Sequence, residues 1–193
     1  MGLISGERLR RLGGAALLAG TACLWSACAQ RRGPSSPTTL DQGRRQLEVP
    51  FFPDRTDQCG PSTLASVLQY WGADIVPGVL KEEIYSAGLN GSLSIDLLLA
   101  ARAHGMRAEM FNGSLSRVKR ELDAGHPLIA FVNLGFRFAP IGHFMVLTGY
   151  DDRRQALYAH SGGDRNALLP YRKFAANWEK TERWTLLILP SAS

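Results

Sequence analysis

The chain has 193 residues, of which 45% are hydrophobic and 20% charged, with a formal net charge of +5. That suffices for one domain and a tail of ordinary globular composition. The basic excess is modest and shows no dense cluster beyond Arg31-Arg32 and Arg44-Arg45, which argues against nucleic acid as a partner.

Residues 1–28 read as an export signal. Arg8, Arg10 and Arg11 precede an apolar stretch from Leu12 to Trp25, and the small residues Ser26 and Ala27 precede Cys28. The ending Leu24-Trp25-Ser26-Ala27-Cys28 resembles a bacterial lipobox, with Trp25 where Leu is usual. The resemblance implies lipidation of Cys28 and a lipid-anchored protein on the periplasmic side of a bacterial envelope. A plain signal peptide or an uncleaved anchor, with Cys28 incidental, is the alternative, and Cys23 is a second candidate for the lipid. Residues 29–46 are polar and contain Gly, Pro, Ser and Thr, and read as a flexible tether. The domain is expected over residues 47–190.

Within the domain, Leu47–Pro53 carries two prolines that exclude helix. Pro61–Tyr70 reads as a helix, because Leu64, Val67, Leu68 and Trp71 repeat at helical spacing and Gly72 follows. Further helices are expected over Lys81–Ala87, Ser94–Ala103 and from Ser114 or Ser116 to Ala124, with a strand over Met106–Phe111. After Pro127 the pattern changes. Leu128–Val132, His143–Tyr150, Gln155–Ala159 and Trp184–Leu189 are apolar runs of strand length, and a short helix follows Phe174. Helices first and strands second predict an α+β domain with an antiparallel sheet from the C-terminal half.

The most informative stretch is Gln58-Cys59-Gly60-Pro61. It places a thiol at the first turn of a helix, where the macrodipole and free N–H groups favour a thiolate. An exported chain that loses its signal and lipidates Cys28 keeps Cys59 as its one thiol, and an unpaired thiol there points to catalysis or burial. His143 starts an apolar strand in Gly142-His143-Phe144-Met145-Val146-Leu147, and His160-Ser161-Gly162-Gly163 ends the next one. A hairpin closed at Asp151–Arg154 brings the start of one strand near the end of the other. This is a Cys–His pair with a third group behind the histidine. His143 and His160 as core histidines are the structural alternative. Ligand spacing gives no support for a metal, and no cofactor is expected.

These two motifs resemble the papain-like superfamily, and more closely the bacteriocin-processing (double-glycine leader) peptidases and their stand-alone exported relatives. The resemblance spans roughly residues 47–190. It implies Cys59 as nucleophile, His143 as general base, His160 at the orienting position that relatives fill with Asp or Asn, and the Cys59 backbone N–H as an oxyanion donor. Relatives place an oxyanion Gln several residues before the cysteine. Here that region reads Pro53-Asp54-Arg55, which leaves Gln58 as the nearby amide. The expected function is a membrane-tethered cysteine peptidase acting on an exported peptide or protein. The alternative is a weak or inactive relative that binds a peptide or protein partner in the same cleft.

Overall fold

A computed structural model describes residues 43–54 and 58–191. The expected signal and most of the tether lie outside the described residues. Among those described, no helix is long and apolar enough to cross a membrane.

Strand β1 (Arg44–Gln46) precedes three helices, α1 (Cys59–Tyr70), α2 (Pro77–Ile84) and α3 (Ser94–Ala103). Strand β2 (Met106–Asn112) and helix α4 (Leu115–Asp123) follow. Then come β3 (Leu128–Asn133), β4 (Gly142–Asp151), β5 (Ala156–Ser161), β6 (Asp164–Pro170), α5 (Tyr171–Glu179) and β7 (Trp184–Pro190). The strands form one antiparallel sheet in the order β2-β7-β3-β4-β5-β6, with β1 beside the far end of β4. Helices thus fall mostly in the first half of the chain and the sheet mostly in the second, the α+β arrangement expected from the sequence.

Helix α1 buries every residue from Gly60 to Leu68. It packs on β4, and α2 and α3 pack against α1 in turn. Phe144 and Val146 of β4 face α1, while Met145 of β4 and Val132 of β3 face α5. Strand β4 is therefore covered on both sides, which is why it reads as an unbroken apolar run. Fully buried Leu64, Leu68, Ile129, Leu147, Leu157 and Trp178 anchor the core.

Three elements differ from the sequence reading. Helix α2 starts earlier, with Pro77 at its first turn, where a missing N–H costs nothing. Arg44–Gln46, read as tether, pair with Asp151–Gly149 of β4. A side chain at Gly149 would place its Cβ 2.2 Å from the Arg45 carbonyl oxygen, so only glycine admits β1 there. Strand β6, which the sequence leaves unassigned, is reached through a turn at Gly162 with φ +58°.

The Asn133 side chain braces the β3–β4 hairpin. Asn133 Oδ1 accepts from the N–H groups of Gly135 and Ile141 at 2.9 Å each. Its tip exposes Phe136 and Phe138, stacked at 5.4 Å.

Candidate active site

Cys59 opens α1, half-buried and with no disulfide. Its sulfur is met from the sheet: the Phe144 backbone N–H reaches it, along with those of Gly60 and Cys59 itself. Burial pushes the thiol above its ordinary range; these N–H groups pull it back, and the charge of Asp54 pushes it further up. Thr63 Oγ turns away, donating to the Cys59 carbonyl at 2.8 Å.

His143 is the residue before Phe144 at the start of β4, and the charge of Asp54 acts on both its imidazole and the Cys59 thiol. The ring is half-buried. Burial lowers its pKa, and Asp54 acts in the opposite, raising direction. Its Nε2 lies 2.9 Å from Ser161 Oγ at the end of β5.

His160 stands apart from this contact. It pairs with Val146 in the sheet register and so turns its ring to the core, where it is 4% exposed. Its Nε2–H donates to the Val49 carbonyl at 3.0 Å, and its Nδ1 accepts from the Asn166 N–H at 3.1 Å. Those two bonds fix one neutral tautomer, and burial lowers the pKa further. Phe51 packs on the ring at 5.0 Å. The group that bonds His143 is thus Ser161, one residue beyond the histidine singled out in the sequence.

A small cavity of about 10 Å³, room for about one water molecule, lies beside Cys59, and His143 is not among the residues lining it. Cys59, Phe144, His160 and Ser161 line it, and so does Asp54, which the sequence reading passes over as part of a turn. Gln58 does not line it. Gln58 sits at the N-cap of α1 without a side-chain capping bond, and its carbonyl accepts from the Ser62 N–H at 3.0 Å. A wider cleft of about 600 Å³ opens beside Gly142, with Ser94, Phe131, Pro140 and Trp184 in its walls. Among the described residues, no three His, Cys, Asp or Glu side chains gather as a metal site would require.

The missed residues had faint signals. Val146 is an inward residue, so its partner across the hairpin is inward too, and the next position is left to meet His143. Asp54 has no such periodicity, because residues 51–54 form no strand or helix. Cys28 lies outside the described residues.

Comparison with known proteins bears on the fold that carries this site. A family model described as Peptidase_C39 like family matches residues 44–185. A crystal structure of a putative C39-like peptidase from Bacillus anthracis superposes with a TM-score of 0.62 at 20% identity, covering 78% of this chain and 99% of that one. A double glycine motif protease from an AMS/PCAT transporter, solved in complex with its leader peptide, gives 0.61 at 21% identity over 76% of this chain and 95% of that one. The peptidase domain of Streptococcus ComA, a bi-functional ABC transporter of a quorum-sensing pathway, gives 0.59 at 20% identity over 75% and 99%. At these identities the structures establish a shared fold. No curated protein matches the chain.

Proposed function

The chain belongs to the Peptidase_C39 like family, and from that premise we propose that it is a cysteine peptidase acting on a peptide or protein through Cys59 and His143. The observation that carries the proposal is the contact between the Cys59 sulfur and the Phe144 amide, one residue from an imidazole tied to Ser161.

His143 Nε2–H donates to Ser161 Oγ, which leaves Nδ1 free to take the Cys59 thiol proton. The thiolate attacks the scissile carbonyl carbon and forms the S–C bond. The Cys59 N–H, at the positive end of α1, receives the developing oxyanion. The tetrahedral species collapses, the C–N bond breaks, and His143 passes its proton to the leaving amine. Water, deprotonated by His143, then hydrolyses the thioester and frees the thiol. The cleft at Gly142, the residue before His143, has room for an extended peptide. His160 on this reading holds the Val49 and Asn166 backbones, so that β5 presents Ser161 correctly. Cys28 carries a lipid and holds the domain at the periplasmic side of a membrane; the lipobox-like ending supports this.

The test is a peptide library incubated with the full chain and read by mass spectrometry. Cleavage is expected in the wild type and lost in Cys59→Ala. A second reading, peptide binding without cleavage, has specific support: the group behind His143 is neutral, and an acidic residue lines the cavity where an amide donor is wanted. It predicts wild-type protein that retains peptides and releases no fragments. Metabolic labelling with a fatty acid, lost in Cys28→Ala, tests the anchor.

A further inference from the structure

Asp54 is the charged group of the cavity that the mechanism above leaves unused. It is 9% exposed and shares the cavity with Cys59, Phe144 and Ser161. Its position is built rather than incidental. The Asp54 N–H donates to the Gly162 carbonyl at 2.9 Å. Gly162 itself turns at φ +58°, and a Cβ there would come within 3.3 Å of the Asp54 carbonyl oxygen. The β5–β6 turn that follows Ser161 therefore pins Asp54 as well. Phe51 and Phe52 wall the same space, so water screens the carboxylate poorly.

We infer that Asp54 is a positioning residue of this site, its carboxylate setting the charge state in which Cys59 and His143 meet a substrate. The inference rests on the Cys59–His143 reading and adds to it an anionic group, which neither Ser161 nor His160 supplies.

A carboxylate resists a second anion and favours a cation. Its charge adds to the larger effect of burial in raising the Cys59 thiol. At His143 it works against burial, favouring the imidazolium. The two effects nearly cancel in the thiolate–imidazolium pair but add in the pH scale. Both titrations move upward together, and the pH window of activity moves with them. The same charge opposes an oxyanion in its neighbourhood. Asp54 therefore slows the chemistry at neutral pH relative to a neutral residue of its shape. Among the described residues, titratable groups reach its surroundings from three elements. From α1 comes Cys59, with no acidic residue in that first turn. From β4 comes His143. From β5 comes His160, held neutral by its two backbone bonds. Beyond His160 lies the exposed Arg165–Glu48 pair at 3.4 Å.

The test follows two groups separately in the full chain. Site-resolved iodoacetamide alkylation across pH 5–10 reports Cys59, and ring C–H resonances report His143. In Asp54→Asn both midpoints should fall, each by about half a unit or more. Alkylation at pH 7 should then quicken about threefold or more, as the thiolate fraction rises. Asp54→Glu should restore midpoints near the wild type. Should Asp54→Asn not fold, Asp54→Gln is read the same way. Midpoints that stay fixed in the neutral variants, or that move in opposite directions, overturn the inference. A wild-type Cys59 that does not alkylate at any pH overturns the Cys59–His143 reading instead, and neither readout requires peptide turnover.

Discussion

The two ends of β4 carry similar polar residues and use them differently. At the far end every group has a partner. Lys119 lies between the rings of Tyr150 and Tyr171, at 5.3 and 4.7 Å, and pairs with Asp152. Tyr171 donates to Asp152 and Tyr150 to Asp123, at 2.8 and 2.7 Å. Burial, reinforced by Asp123, pushes the Tyr150 hydroxyl up to about 12. The Lys119 bond holds the Asp152 carboxyl below the usual range. This is a closed network that ties β1, α4 and α5 to the sheet. At the near end, His143 has one side-chain bond, and the Cys59 sulfur meets backbone N–H groups next to a cavity. The lesson is that titratable side chains mark function where their partners leave capacity unused, and mark architecture where the partners consume it.

The sharpest break of that comparison is His143→Ala. Turnover should fall by about 10²–10⁴-fold, the usual worth of a positioned acid–base group, while the melting temperature stays close to the wild type. A large loss of stability would make the near end architectural as well. Asp152→Ala should do the reverse, costing roughly 1–2 kcal/mol in urea unfolding, a figure kept low because the carboxylate is partly exposed. Turnover should be unchanged. Because its folded pKa is lowered, Asp152 contributes stability above the ordinary carboxylate range of about 3.9, and this is lost as pH falls through the folded value.

His160→Gln should cost about 1 kcal/mol, with a buried bond lost at Val49 or Asn166. The sign with pH is also set. The folded pKa of His160 lies below its unfolded value, so its stability is complete above about pH 6.5 and is lost as pH falls through the folded value. Melting temperatures between pH 7.5 and 4.5 should decline in the wild type and decline less in His160→Gln. The smallest effect belongs to Ser161→Ala. One neutral hydrogen bond behind His143 is worth about 1 kcal/mol, so turnover should drop by about fivefold. Ser161→Ala with a loss as deep as that of His143→Ala would mean that Ser161 takes part in the chemistry.

Much of this architecture is legible along the chain because burial imposes period. Helix α1 declares itself through Leu64, Val67 and Leu68, and β4 through an apolar run that only a strand covered on both faces needs. Strand β6 is not legible: Asp164–Pro170 is an edge strand, half exposed, and the turn feeding it depends on one glycine. Strand β1 is three residues long and depends on Gly149, a hundred positions away. The site divides in the same way. Cys59 and His143 sit on the two periodic elements and could be named from them. The neighbour of His143 depends on strand register, which separates Ser161 from His160 by one residue and one face. Asp54 lies in irregular backbone whose course is fixed only by Gly162.

The central claim is that β4 brings the His143 imidazole to the Cys59 sulfur. Its most direct test is the rate of Cys59 alkylation by iodoacetamide at pH 6, mapped to the residue, in wild type and His143→Ala. His143 takes up the thiol proton and so promotes thiolate against the burial that raises the thiol, so the wild type should react at least tenfold faster than His143→Ala. Equal rates in the two proteins would contradict the account.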